Sequence, residues 1–451
     1  MSRIQLTLWS FCIFVVIGCG DEGDFTSTGE PDNDSANPTE NDSSSSADSE
    51  STEEEQTSAK PPEGQPAAKL EFVPPELTEE ELRAGWISLF DGRTLFGWDI
   101  PEGTNWHVED GCIVASEGEI SLLQTPFSFS DFEFRCEFHM QEGGNSGVFV
   151  RSAEDVKSPV TDTYEVNICD DHESHNTASI VGRHVSENVP KVAGDWHSMQ
   201  IVCSDSQVKV HLDGRLVTEF TDESENRRDS GRIGLQKNKG RIAFRNVFLR
   251  PVNTKEVFNG SDLTGFQVVP GGASEFTVTE GNIHADNGPG FLETEETWSD
   301  FILHVESRIQ DEKAIADGRP ANSGVFFRAM KGTEEGPSNG YEMQIQHDFR
   351  EGDRTTPADF GSGGIYRREP ARYVVADNNT WVVQTLIAQG NRFATFVNGY
   401  QVLDWTDERE PNENPRRGLR REAGHLSLQG HDPTTDIDFR AIRVSVLPSQ
   451  P

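Results

Sequence analysis

The residues best suited to chemistry lie in Asn322-Ser-Gly-Val-Phe-Phe-Arg328 and, a little further on, Tyr341-Glu-Met-Gln-Ile345. Read as two strands, with side chains alternating between faces, these segments put Asn322 and Arg328 on one face of the first. Glu342, Gln344 and Gln346 then share one face of the second, while Tyr341, Met343 and Ile345 turn into a core. A carboxylate, an arginine and several amides on neighbouring strands form a polar floor that can hold a sugar or stabilise an enolate. The same pair occurs earlier as Asn145-Ser-Gly-Val-Phe-Val-Arg151 and Tyr164-Glu-Val-Asn-Ile168, which nominates Asn145, Arg151, Glu165 and Asn167 as a second set. Charged strand faces are often merely solvated. Against that, a sandwich needs none of these groups to fold, yet both copies keep them. The reading requires Glu342 and Arg328 on the same side of their sheet and open to a cavity. His431, in a loop after Leu428-Gln-Gly430, is the better placed histidine, whereas His304 sits in an alternating run and reads as structural. Trp98, Trp106, Trp196 and Trp381 stand at strand starts, which favours core packing over sugar stacking.

The elements that must position these groups are short strands. Period-two runs such as Phe132-Glu-Phe-Arg-Cys-Glu-Phe138, separated by Gly, Asn and Asp turns, predict an all-β sandwich with no long amphipathic helix. Thr78-Glu-Glu-Glu81 predicts one capped helical turn, ended by Gly85. Landmarks repeat in order: Leu89-Phe-Asp-Gly92 with Val257-Phe-Asn-Gly260, Asp195-Trp196 with Thr380-Trp381, Asp213-Gly214 with Asn398-Gly399, and Leu235-Gln236 with Leu428-Gln429. The offset grows along the chain, as expected of one fold duplicated with loop insertions in the second copy, the clearest at Asp311 to Pro320. The copies are placed at 77–252 and 253–449.

Composition narrows the function. The chain has 451 residues, 34% of them hydrophobic, and a formal charge of −38, which disfavours nucleic acid as a partner. Cys112, Cys136, Cys169 and Cys203 lie singly, so no zinc site is expected and any disulfide pairing stays open. Residues 1–19 carry Arg3, an apolar run from Ile4 to Ile17 and the ending Val16-Ile-Gly-Cys19. This is expected to be a lipoprotein-type signal peptide with Cys19 as the lipidated residue; an ordinary signal peptide or uncleaved anchor is the alternative. Residues 20–76 are rich in Asp, Glu, Ser, Thr, Asn and Pro, a composition that predicts a disordered acidic tether. The expected location is the cell envelope, on the periplasmic or outer surface.

Several motifs together carry a resemblance. They are the Leu-Phe-Asp-Gly opening, Asn-Ser-Gly-Val-Phe with its Arg, Tyr341-Glu-Met-Gln-Ile345, the Asn-Gly turn and Leu428-Gln-Gly-His431. In this order the chain resembles the 3-keto-disaccharide hydrolase family, related to concanavalin A-like jelly-roll sandwiches, over nearly everything after Leu77. The resemblance implies cleavage of 3-keto-glycosides. A ketone at C3 acidifies the C2 proton, a base removes it, the enolate expels the C1 substituent, and the resulting 2-hydroxyglucal adds water. It implies Glu342 as the base, His431 and His347 as candidate acids, and Asn322, Arg328, Gln344, Tyr366 and Gln429 as sugar-binding groups. A divalent metal would be compatible with polarising the ketone, though no ligand spacing demands one. The first copy departs from the pattern: Asn167 replaces Gln344, Asn238 falls at His431, and Val181 stands at Tyr366. Copy two is therefore expected to catalyse and copy one to bind glycan. A non-catalytic, lectin-like envelope protein is the competing expectation.

Overall fold

A computed structural model describes residues 75–449, so the signal peptide, Cys19 and almost all of the acidic tether lie outside the described residues. The one expected helical turn forms at Glu79–Arg83. Thr78 accepts from the Glu81 N–H at 3.2 Å while the Glu81 carboxylate accepts from the Thr78 N–H at 2.8 Å, which satisfies two end donors at once.

The rest is built mainly of antiparallel sheet, in two sandwiches. The large sheet of the first runs, in spatial order, Arg215–Thr221, Gln207–Leu212, Trp196–Ser204, Phe132–Met140, Ile242–Pro251, Cys112–Ala115 and His107–Glu109. Its small sheet runs Ser121–Gln124, Arg232–Lys237, Ser146–Ser152 and Tyr164–Ile168. The second sandwich repeats both orders. Its large sheet is Tyr400–Thr406, Arg392–Val397, Val382–Gln389, Phe301–Ile309, Asp436–Val446, Asn282–Asp286 and Glu275–Thr279. Its small sheet is Phe266–Val268, Gly290–Trp298, Gly424–Gly430, Ser323–Met330 and Asn339–Ile345.

Alternation explains the packing. Along Phe132–Met140 every even-numbered residue enters the core, while Glu133 and Glu137 face outward and pair with Arg250 and Arg245. Trp98 and Trp106 are in that core as expected. Trp196 and Trp381 are not: each lies outside its core, stacked under arginine guanidinium groups, Arg245 over the first and Arg440 and Arg308 over the second. The four described cysteines are unpaired, buried thiols.

The two sandwiches share apolar surface. Ile302, Ile387, Ala394 and Phe396 turn away from the second core and join the apolar cluster of the first. Polar contacts fix the register: Ser128 exchanges backbone hydrogen bonds of 2.8 and 3.1 Å with the Gln389 amide, and Arg392 pairs with Asp99 at 3.0 Å. Insertions fall in the second copy. A helix, Glu312–Asp317, occupies the expected one. Two more border the small sheet: Val166 pairs with Ile180 but Met343 with Ile365, and Tyr164 and Tyr341 reach the equivalent Asp222 and Asp407, after which Arg228 follows in six residues and Arg420 only in thirteen.

Candidate functional site

Each residue of Asn322-Ser-Gly324 has a separate physical task. Asn322 directs its Nδ2 to Asp359 Oδ2 at 3.0 Å, leaving its Oδ1 buried without a partner. The Ser323 hydroxyl turns inward and donates to the Gln429 carbonyl at 2.7 Å, tying this strand to its neighbour. Gly324 makes room: a Cβ there would sit 2.8 Å from Glu342 Oε1. The first copy repeats the arrangement, with Ser146 donating to the Gln236 carbonyl at 2.7 Å and a Gly147 Cβ falling 3.3 Å from Glu165 Oε1. The Asn145 Oδ1 is again buried and unpartnered.

The glutamates are the electrostatic centre of each small sheet. Glu342 is 8% exposed, and burial pushes its carboxyl up to about 7, against the opposing pull of Arg416 and with Asp359 adding to the rise. Its Gln429 neighbour offers a hydrogen bond and keeps an unpartnered Oε1. Glu165 is pushed up to about 7 by burial as well, with Gln236 Nε2 at 3.3 Å. Around Glu342, Gln344 donates to the Asp359 carboxylate and carbonyl, both at 3.0 Å, and its Oε1 stays unpartnered. Tyr366 donates its backbone N–H to the Glu342 carbonyl at 2.9 Å and packs its ring against Phe360. His431 stands at the edge, its Nε2 3.5 Å from Asn322 Nδ2 and its Nδ1 3.1 Å from Asp432. Asn322, Gln344, Gln429, Glu342, Tyr366 and His431 are thus brought to one face.

The two arginines are not. Arg328 is 0% and Arg151 1% exposed, and both point into the sandwich, on the opposite side of the sheet from the glutamates. The cause is a bulge: Arg328 has φ 47° and Arg151 φ 49°, and the strand register slips between Phe327 and Met330, so alternation breaks at this residue. Arg328 donates to the carbonyls of Ser299, Gly390 and Arg420 at 2.7, 2.7 and 2.9 Å and to Asp300 at 2.9 Å. Arg151 matches it on Ser130, Asp205, Arg228 and Asp131. Their assignment as sugar-binding groups is overturned, and with it the expectation that Glu342 and Arg328 share one open face. A signal did exist in the sequence. Gly424 and Gly231 lie against the bulges, where a Cβ would fall 2.3 Å from the arginine carbonyl carbon.

His347 is also corrected. It is 4% exposed, its Nδ1 sits 2.8 Å from the Ser362 hydroxyl, and burial lowers its pKa to about 4. A neutral, sealed imidazole cannot serve as a general acid on this face. Three residues that strand reasoning missed take part instead. Asp359 comes from the longer loop before Ile365, with φ 43°, and holds both amides. Arg367 and Arg416 also come from loops, and both draw the Glu342 carboxyl downward.

The first copy opens into a groove of about 840 Å³. Asn145, Glu165, Asn167, Gln236, Asn238 and Val181 line it, so the counterparts expected from the repeat do meet there. Asn167 turns its Nδ2 to the His175 carbonyl at 2.5 Å. Among the described residues no group of three or more His, Cys, Asp or Glu side chains gathers to hold a metal ion.

Fold and site define a class: a duplicated antiparallel β-sandwich whose small sheets each carry a buried glutamate, its carboxyl raised by desolvation, among side-chain amides. The chain belongs to the family of 3-keto-alpha-glucoside-1,2-lyase-like domains, whose model matches residues 85–250 and again residues 253–445. It is 34% identical over 84 residues to a 3-keto-disaccharide hydrolase of Bacteroides thetaiotaomicron, a match covering 16% of this chain and 28% of that relative. Among solved structures it is similar to an inferred glycosyl hydrolase of Parabacteroides distasonis ATCC 8503, with 23% identity, TM-score 0.35, and coverage of 39% of this chain and 98% of the other. It is similar also to the carbohydrate binding module CBM66 of Bacillus subtilis, with 20% identity, TM-score 0.28, and coverage of 34% and 95%.

Proposed function

We propose that the second copy cleaves 3-keto-glycosides and that Glu342 is its base. The observation that carries the reading is a carboxyl held near pKa 7 by burial, surrounded by amide oxygens without partners. A base tuned close to the working pH combines enough ionised form with enough proton affinity. Glu342 takes the C2 proton, and the C–H pair moves into a C2–C3 enolate. That pair then forms the C1–C2 double bond, restores the C3 ketone and releases the C1 oxygen, which leaves with a proton. Water adds across the double bond, hydroxyl to C1 and proton to C2. His431 at the edge supplies the leaving-group proton. The amides of Asn322, Gln344 and Gln429 hold sugar oxygens. Arg328 is sealed in the sandwich and cannot join a polar floor beside Glu342; catalysis is supported instead by the raised carboxyl, the amides and the family match.

The first copy binds glycan. Its open groove favours this, since Val181 and Asn238 stand there in place of Tyr366 and His431. A lectin-like protein without catalysis keeps the groove and loses only the proton transfer. Turnover of a 3-keto-disaccharide by the E342Q and E165Q proteins separates these readings. E342Q is expected to lose at least 100-fold in kcat, as removal of a general base does, and wild-type kcat/KM to rise with pH through about 7. Loss confined to E165Q would move catalysis to the first copy, and absence of monosaccharide release by the wild type would leave the lectin. We place the protein in the cell envelope, held by lipid on Cys19.

A further inference from the structure

We propose that the Glu342 face of the second copy carries a subsite for an anionic group on the sugar next to the one being cleaved, a carboxylate or a sulfate, formed by Arg367 and Arg416. This deepens the reading above, since it names the substrate class of the same face.

The two arginines bracket Glu342. The Arg416 guanidinium lies 5.7 Å from the Phe326 ring centroid, and Phe326 is the residue paired directly with Glu342 across the sheet. Arg367 lies 5.3 Å from the ring of Tyr366, whose N–H binds the Glu342 carbonyl. Arg368 ties the loops together by donating to the Arg416 carbonyl at 2.6 Å. Both guanidinium groups are exposed, and among the described residues neither has an ion-pair partner. Acids outnumber Lys and Arg in this chain by 77 to 39, and most described arginines find a carboxylate. Two unpaired, planar, five-donor groups above a sugar-binding floor match an anionic oxygen cluster.

Both are peculiar to the second copy. Arg416 sits on the longer loop between Asp407 and Arg420, which the first copy shortens between Asp222 and Arg228. Arg367 occupies the place of Gly182, and does so with φ 58° where Gly182 has φ 72°. A left-handed arginine is strained where glycine is not. The strained position is the one that brings a cation beside the glutamate. The first groove, by contrast, is lined by Asp99, Glu102 and Glu154 beside Arg232 and Lys157, with Arg232 already paired to Asp99 and Glu154.

The test uses the full chain and three 3-keto-disaccharides that differ only in the neighbouring sugar: neutral glucose, glucuronate, and a sulfated glucose. Wild type is expected to show a KM at least tenfold lower for one or both anionic substrates, and whichever anion gains identifies the group. R416Q and R367G should each reduce that preference at least fivefold, while R93Q, an arginine outside the site, should leave the preference unchanged. Equal KM values for all three substrates would overturn the subsite. So would a preference that survives both substitutions, or a loss in R416Q and R367G that is equal for neutral and anionic substrates, which would assign the arginines to the enolate. Calorimetric binding of the three unoxidised disaccharides to E342Q runs alongside. Anion preference in binding without turnover by wild type would sustain the subsite and sink the catalytic reading, whereas turnover without anion preference would do the reverse.

Discussion

Glu342 and Glu165, two buried glutamates whose carboxyls are raised by desolvation, make the stability of this protein depend on pH. Glu342 moves from 4.5 to about 7 on folding, so the folded chain holds a proton that the unfolded chain releases. The stabilising contribution of the protonated form is fully present below pH 4.5 and is lost as the pH rises through 7. A glutamine at this position stays neutral. E342Q is therefore expected to unfold at the same denaturant concentration as wild type at pH 4 and at a higher one at pH 8, by on the order of 3 kcal/mol. E165Q should behave likewise, because the same desolvation acts there. Chemical denaturation at the two pH values reads the difference, and equal gains at both would mean that burial is not what holds the proton. Gly324 gives a second test at this scale. A methyl 2.8 Å from Glu342 Oε1 must displace the carboxyl. G324A is expected to lower kcat at least tenfold while costing only about 1–3 kcal/mol of stability, the usual range for overpacking, with activity and melting measured on the same preparation.

At the scale of the strand, one bulge decides which side chains face the ligand. The sequence Val325-Phe-Phe-Arg328 looks like plain alternation, and plain alternation sends Arg328 to the side of Glu342. One left-handed residue reverses it. The arginine then becomes a clamp on three backbone carbonyls and Asp300, under the sheet. Removing a buried, paired cation leaves Asp300 uncompensated, so R328Q is expected to lose about 3–5 kcal/mol of stability. The KM of whatever remains folded should be unchanged. A KM that shifts with little loss of stability would return the arginine to the site. Loops account for the other difference between copies: Asp359, Arg367 and Arg416 all lie on connections, two of them on connections longer in the second copy.

At the scale of the molecule, the duplicated sandwiches are joined by apolar side chains on the outer side of the second large sheet, with Gln389 and Arg392 reaching into the first copy. An open groove in the first copy and the Glu342 face of the second suit a division between holding a glycan and cutting it. The proposed lipid on Cys19 would keep both at a membrane through the tether. C19A, with its signal otherwise intact, is expected to move from the membrane fraction to the soluble exported fraction without change in kcat, and its retention on membranes would remove the lipid from the account.

The repeat, the all-β class, the capped turn at Thr78 and the gathering of Glu342 with Asn322, Gln344 and Gln429 were legible in the chain, because alternation and turn chemistry are local. The sealing of Arg328 and His347, the entry of Asp359 and the arginines beside Glu342 were decided by tertiary structure. A backbone dihedral outside the strand range and the path of a long loop depend on what packs against them; the bulges are marked by Gly424 and Gly231, far along the chain, and spacing within the strand itself carries no record of either.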